Sequence, residues 1–170
     1  MGIASMSDRG IESVMVYITI YAFMIIGAFA VVLLMQKDGK IAHKISDLAG
    51  WGKTRPHTAG AMAVIMLSMA GLPPFAGFFG KMLIFKAVLE AQLIWLVVIA
   101  SIASIIAVYY YLNVIKVMYF DKNSVKLDKI KDPFILFIVN LSAVTAFIFP
   151  FVILDGLQKS VVTAVKAFFN

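Results

Sequence analysis

A lysine lies inside a long apolar region of the sequence, directly after a segment that a straight helix does not easily contain. The segment reads Gly71-Leu-Pro-Pro-Phe-Ala-Gly-Phe-Phe-Gly-Lys81. Pro73 and Pro74 lack the backbone N–H donor and clash with the preceding turn, so they predict a break in the helix. A lysine beside such a break is costly in apolar surroundings unless it faces protein or water. Lys81 is therefore the first candidate for chemistry, as a proton relay or an ion site.

The other polar residues of the apolar regions are weaker candidates that could support Lys81. Lys86 can act as an anchor at the membrane boundary or pair with Glu90 four residues later on the same helix. Ser101 and Ser104 lie on one face of the next apolar stretch. They can hydrogen-bond to neighbouring helices or line a hydrated path. The residues expected to form the helix break are Gly71, Pro73, Pro74, Gly77 and Gly80.

Several classes of site are disfavoured by residue types and spacing. The chain has no cysteine, which excludes disulfides and thiolate metal sites. His43 and His57 have no third ligand at metal-site spacing and are interpreted as surface residues. The glycine-rich segment follows no strand and resembles no phosphate-binding loop. The net charge of +6 comes mainly from two loops, so nucleic-acid binding is not expected. We therefore expect no catalytic, metal or cofactor site within this chain.

The elements that must position Lys81 are helices in a membrane. The chain is 62% hydrophobic and 14% charged, with a mean hydropathy of +0.97. Soluble domains average about 45–50% apolar and about 25% charged residues. The sequence predicts an all-α membrane protein formed by a single transmembrane domain over residues 1–170, with about four transmembrane helices. The expected spans are 13–35, 57–90 with a break at Gly71–Pro74, 92–118 and 133–154, followed by an amphipathic tail at 156–170.

Two lysine-rich loops predict how the chain is oriented. They cover residues 36–56 and 121–132, and they lie on one side if every span crosses once. The positive-inside rule places both loops in the cytoplasm. Within the first loop, Ile41, Ile45 and Leu48 recur at helical spacing, which predicts a short amphipathic helix at the membrane surface.

The run Ser68 to Lys81 resembles the broken-helix signature of the antiporter-like subunits of proton-pumping NADH:quinone oxidoreductase, respiratory complex I. Three further motifs resemble subunit N in particular. They are Tyr21-Ala-Phe-Met-Ile-Ile-Gly-Ala-Phe-Ala30, Asp47-Leu-Ala-Gly-Trp-Gly-Lys53 and Val108-Tyr-Tyr-Tyr-Leu-Asn-Val-Ile-Lys-Val-Met-Tyr119. Mrp-type cation/proton antiporters share the break but usually lack the tyrosine run.

This resemblance implies two inverted repeats of five helices in the full family fold, of which the chain supplies what looks like the last four helices. Lys81 matches the lysine of the second broken helix, which the family uses in proton translocation. The first repeat, with its own ionisable residues, is missing, so we expect that the chain does not pump protons alone. A Mrp-type antiporter segment and a non-transporting remnant of a truncated gene remain as alternatives.

The same resemblance implies where the remaining chemistry lies. NADH, FMN, iron–sulfur clusters and quinone are expected in partner subunits rather than in this chain. The expected partners are other membrane-arm subunits, the missing N-terminal helices of the same fold and the lipid bilayer. The expected location is the bacterial inner (plasma) membrane.

Overall fold

The computed structural model describes residues 1–37, 40–42, 44–122, 128 and 132–152. The described helices are α1 (Asp8–Leu33), α2 (Trp51–Thr54), α3 (Pro56–Ala70), α4 (Ala76–Glu90), α5 (Ile94–Phe120) and α6 (Pro133–Val152). Short 3-10 turns cover Ile3–Ser5 and Ile45–Leu48. The strands β1 (Gln36–Lys37) and β2 (Lys40–Ile41) form a small antiparallel pair. The predicted all-α class is thus confirmed, with this minimal hairpin as an addition.

Three helices, α1, α5 and α6, are long and apolar enough to cross a membrane. The first of them forms the centre of the described bundle, because α1 packs against α3, α4 and α6. Its buried side chains include Val16, Ile20, Met24 and Val31, which recur at helical spacing along one face. The helix begins at Asp8, before the uncharged stretch, because the Ser7 side chain accepts a hydrogen bond from the backbone N–H of Gly10.

The apolar region at 57–90 forms two shorter helices, α3 and α4, rather than one long helix. Each has 15 residues, or about 22 Å of helix at 1.5 Å per residue. A bilayer core is about 30 Å thick, so neither helix crosses it alone when upright. That the two helices together make one crossing stays a prediction.

The first lysine-rich loop differs from the predicted amphipathic helix over Ile41 to Leu48. Ile41 belongs to the hairpin strand β2, and only a 3-10 turn covers Ile45–Leu48, so that prediction is wrong. Backbone hydrogen bonds explain the difference. The N–H of Ala42 donates to the carbonyl of Met35, which ties the loop back to the end of α1.

Arg55 connects the first lysine-rich loop to the end of α1 and to Asp128 in the second loop. Its guanidinium lies 5.0 Å from the ring centroid of Trp51, which is a cation–π contact. It also donates to the backbone carbonyls of Leu34 and Asp128, and the Asp128 N–H donates to the carbonyl of Gln36. Burial lowers the pKa of Arg55, while the negative charge of Asp128 partly opposes that shift. Arginine nonetheless keeps its proton in proteins, so Arg55 is a fixed positive charge between the two loops.

The helix α5 is held at one end. Its buried residues are Val117 and Met118, both in its last turn, while the rest of the helix is half-buried or exposed. The short helix α2 contacts this end, where Gly52 approaches the ring of Tyr119. The predicted tail at 156–170 and most of the loop at 121–132 lie outside the described residues.

Candidate functional site at the α3–α4 junction

The helix α3 ends in a tight turn at Gly71, which has a φ of +82°. Glycine suits this left-handed conformation because it has no Cβ to clash. The turn returns two hydrogen bonds to α3, from the Gly71 N–H to the Ser68 carbonyl and from the Leu72 N–H to the Leu67 carbonyl. After the cis peptide bond between Pro73 and Pro74, α4 begins at Ala76. The turn thus satisfies two of the last four carbonyls of α3 and leaves two.

Lys81 satisfies the other two carbonyls. Its Nζ donates to the carbonyl oxygens of Met69 at 3.2 Å and Ala70 at 3.1 Å. The last carbonyls of a helix lack partners within that helix and carry its negative dipole end, which attracts a cation. The Lys81 side chain therefore completes the C-terminus of α3 although it belongs to α4.

The start of α4 lies against the end of α3 at very short range. The backbone N–H of Gly77 donates to Ser68 Oγ at 3.0 Å, and Ser68 is fully buried. A Cβ atom on Gly77 would lie 1.8 Å from the Ser68 carbonyl oxygen, so only glycine permits this approach. One turn later, Gly80 packs against α1, where an added Cβ would meet the Tyr17 ring at 3.1 Å. Gly77 and Gly80 thus lie inside α4, where they set its distance from α3 and α1.

Lys81 also lines a cavity of about 330 Å³, which is large enough for several water molecules. The cavity walls come from the N-terminal residues, α1, α4 and α5. Tyr17 from α1 and Ser104 from α5 add hydroxyl groups to an otherwise mostly apolar lining. The expected association of Ser104 with Lys81 has this geometric support, although its role in proton transfer stays a prediction. Ser101 instead donates to the carbonyl of Val97 within its own helix.

Lys86 and Glu90 lie away from the Lys81 cavity. Both line a second cavity, of about 210 Å³, between α1 and the end of α4. Glu90 forms an ion pair with Arg9 of α1 at 3.0 Å, and no ion pair joins it to Lys86 among the described residues. The expected alternative of a Lys86–Glu90 pair is therefore not formed. Both helix ends approach each other at this point, and the ion pair bridges them.

Gly77 was expected only as part of the helix break, and its contact with Ser68 was not predicted from the sequence. The only signal was that both belong to the quoted Gly-Pro-rich run, which does not reveal a hydrogen bond between residues nine positions apart. Within the described part of the chain, no group of three His, Asp or Glu side chains could hold a metal ion.

Comparison with known proteins decides the family. A sequence profile described as NADH:quinone oxidoreductase/Mrp antiporter, TM, matches residues 1–107, which include the whole α3–α4 junction and Lys81. The chain belongs to this family. It is a membrane protein, as the family description and the three apolar helices both indicate.

Relatives within the family agree with the resemblance to subunit N. The chain is 44% identical over 163 residues to NADH-quinone oxidoreductase subunit N of Rhodospirillum rubrum, covering 94% of the chain and 34% of that protein. It is 48% identical over 129 residues to the same subunit of Paramagnetospirillum magneticum, covering 76% of the chain and 26% of that protein. The predicted resemblance is thereby confirmed. The chain spans about a third or less of the length of these relatives.

A solved structure gives the same result for the fold. The chain is similar to a chain of respiratory complex I from Thermus thermophilus with bound aureothin, with a TM-score of 0.72 and 27% sequence identity. The similarity covers 91% of this chain and 34% of that one. The described helices therefore correspond to part of a larger family fold.

Proposed function

We propose that this chain is a proton-translocating segment of the membrane arm of NADH:quinone oxidoreductase, similar to part of subunit N, and that Lys81 carries the proton. The observation that carries the proposal is the position of Lys81 Nζ, on the end of one helix and beside a cavity with room for water. The names of the family relatives support the reaction class.

The contacts of Lys81 suit a group that changes charge. The ammonium form has three N–H donors, two of which reach the carbonyls of Met69 and Ala70. The neutral amine keeps two N–H donors and can hold the same two carbonyls. Because no backbone acceptor is left without a partner in either form, loss of the proton does not require the helix end to unfold.

The redox reaction belongs to partners in this proposal. Membrane-arm subunits and the missing helices of the family fold would deliver protons to Lys81, since the chain matches only part of each relative. NADH, FMN, iron–sulfur clusters and quinone would bind to other subunits. We expect the chain by itself not to pump protons.

The proposed location is the bacterial plasma membrane, in line with the bacterial relatives. By the positive-inside rule, the lysine-rich loops 36–56 and 121–132 face the cytoplasm. The α4–α5 turn near Glu90 then faces the opposite side. Lys81 lies on the half of the α3–α4 pair that is directed toward that outer side.

The test uses two substitutions in the assembled complex. Lys81→Met removes the charge and the donors, and we expect a strong loss of NADH-driven proton pumping. Lys81→Arg keeps a cationic donor for the α3 carbonyls but does not release its proton at physiological pH. We expect Lys81→Arg to assemble normally and also to lose pumping. Lys116→Met, at an exposed position of α5, is the control for the methionine substitution.

A purely structural role predicts a different result. If Lys81 only completes the end of α3, Lys81→Arg should pump at the normal rate. Normal pumping by both variants would refute the proposal and leave the structural remnant as the better reading.

The family description also names Mrp antiporters, so cation/proton exchange is the second candidate function. It requires proton movement driven by a sodium or potassium gradient in vesicles without NADH. We expect no such exchange.

A further inference from the structure

Three half-buried tyrosines lie between α1 and α5, next to the cavity that Lys81 lines. Tyr17 and Tyr21 belong to α1, and Tyr111 belongs to α5. A tyrosine hydroxyl in apolar surroundings is costly unless it has a hydrogen-bond partner or water. Each hydroxyl can both donate and accept a hydrogen bond, so a series of neighbouring hydroxyls can pass a proton along. The contacts of the three tyrosines decide whether they form such a series.

Tyr17 connects these tyrosines to Lys81. Its side chain lines the Lys81 cavity, and its ring lies against Gly80, the residue before Lys81. Among the residues that the structure describes, none forms a hydrogen bond with the Tyr17 hydroxyl. The cavity has room for water, which can bind a hydroxyl that lacks a protein partner. A water molecule in the cavity can therefore connect Tyr17 to Lys81.

Tyr21 extends the series one turn further along α1. Its ring stacks on that of Tyr17, with the ring centroids 5.7 Å apart and an angle of 15° between the ring planes. Residues four positions apart are neighbours on one helix face, as this stacking requires. From α5, the Tyr111 side chain comes within hydrogen-bonding reach of Tyr21. Tyr17, Tyr21 and Tyr111 thus form a series of adjoining side chains, which we call the hydroxyl row.

The face of α5 that meets the hydroxyl row carries a further hydroxyl. Ser104 and Tyr111 are seven residues apart, which is about two turns, so they lie on the same face of α5. Ser104 lines the Lys81 cavity, as Tyr17 does, while Tyr111 reaches Tyr21. The polar positions of α1 and α5 therefore face each other twice, at the Lys81 cavity and again beyond it.

The hydroxyl row ends near the middle of the bundle. Tyr21 lies 13 residues after Asp8, or about 20 Å along a helix of 26 residues. Further toward the lysine-rich loops, the same face of α1 carries apolar side chains, those of Met24, Ile25 and Ala28. The row thus leads from Lys81 to the middle of α1, where another element must supply the proton. The chain matches about a third of its subunit N relative from Rhodospirillum rubrum, so helices outside the chain are available for this supply.

We propose that Tyr21 and Tyr111 receive the proton that charges Lys81, and that Tyr17 and cavity water pass it on to Lys81. The step is a proton transfer. Each hydroxyl accepts a proton on its oxygen and gives up its own, so every tyrosine is neutral before and after the transfer. The neutral amine of Lys81 takes the last proton and becomes an ammonium group. This inference rests on the proposed function and names the residues at which partner helices deliver protons to the chain.

The experiment measures the initial rate of NADH-driven proton pumping by the assembled complex, whose amount is determined by NADH oxidation with an artificial acceptor. The rate that depends on Lys81 is the rate in excess of that of Lys81→Met. We expect Tyr17→Phe to lower this excess about tenfold, because cavity water replaces only part of a proton-transfer group that contributes roughly 10²–10⁴-fold. Tyr21→Phe and Tyr111→Phe should lower it by a similar factor. Tyr109→Phe is the matched control and should pump normally, since Tyr109 is 73% exposed and lies outside the row.

A purely structural role for the hydroxyls predicts a different pattern. If the contact between Tyr21 and Tyr111 only holds α1 against α5, Tyr21→Phe and Tyr111→Phe should also lower the temperature of thermal inactivation. Tyr17→Phe keeps the stacked ring and removes no hydrogen bond to a described residue, so a structural role leaves its pumping normal. Normal pumping by Tyr17→Phe would overturn the inference. If Tyr17→Phe does not assemble, Tyr21→Phe decides: a tenfold loss at an unchanged inactivation temperature supports the inference, and any other result overturns it.

The double variant Tyr17→Phe/Lys81→Met separates this inference from the proposed function. If the hydroxyl row serves Lys81, the double variant should pump at the rate of Lys81→Met alone, and a lower rate would overturn the inference. Loss of pumping in Lys81→Met with normal pumping in the three Tyr→Phe variants would overturn the inference and leave the proposed function standing. Normal pumping in Lys81→Met would refute both, because the row would then have no proton acceptor.

Discussion

The substitution Gly77→Ala tests whether the close contact between α3 and α4 positions Lys81. The added Cβ would lie 1.8 Å from the Ser68 carbonyl oxygen, whereas ordinary contact begins at 3.4 Å. The two backbones would have to move about 1.6 Å further apart. A shift of that size breaks the 3.0 Å hydrogen bond from the Gly77 N–H to Ser68 Oγ. It also draws Lys81 away from the end of α3.

The expected cost combines two effects. Overpacking in a close contact costs about 1–3 kcal/mol, and a buried N–H without a partner costs about 1–3 kcal/mol. We therefore expect Gly77→Ala to destabilise the junction by about 2–6 kcal/mol. The measurements are the thermal inactivation of the assembled complex and its NADH-driven proton pumping, both of which should decrease.

Gly60→Ala provides the matched control for this prediction. Gly60 lies in α3, and an added Cβ there would meet no atom within 4 Å. Alanine is favoured over glycine in a helix by about 1 kcal/mol, so this variant should be as stable as the wild type or slightly more stable. The reasoning is refuted if Gly77→Ala inactivates at the same temperature as Gly60→Ala and pumps at the same rate.

Two further substitutions test other parts of the structure. Gly71→Ala forces a side chain into a left-handed turn and places its Cβ 3.0 Å from Lys81 Nζ, so proton pumping should fall while Gly60→Ala leaves it unchanged. Arg55→Gln loses the contact with Trp51 and the hydrogen bonds to Leu34 and Asp128. We expect protease cleavage in the loop at 121–132 to become several-fold faster, and equal cleavage rates would contradict a role for Arg55 in holding that loop through Asp128.

The sequence predicts the main elements well because their signals are local. The proline pair and Gly71 interrupt the helix through their own backbone geometry, and the apolar runs are long enough to show three membrane helices directly. Lys81 is recognised from the sequence because a charged side chain in an apolar run is costly unless it faces protein or water. These predictions use only residues that lie close together in the chain.

The contacts that complete the site are not local, and the sequence does not reveal them. Glu90 has Lys86 four residues earlier, yet it pairs with Arg9, which is 81 residues away. The helical spacing of Ile41 and Ile45 predicts a surface helix, but backbone hydrogen bonds to the end of α1 favour a hairpin instead. For Glu90 a tertiary partner competes with the local one, whereas for Ile41 and Ile45 the competing bonds belong to a local hairpin.

Because α5 is buried only near its last turn, a small change in the angle of the helix would move its opposite end the furthest. Val117 and Met118 form the buried end of α5, and Ser104 lies about 20 Å from Val117 along the helix at 1.5 Å per residue. A tilt of about 5° would move the Ser104 wall of the Lys81 cavity by about 1.7 Å, more than half the diameter of a water molecule. A change in the tilt of α5 would therefore change the room for water beside Lys81.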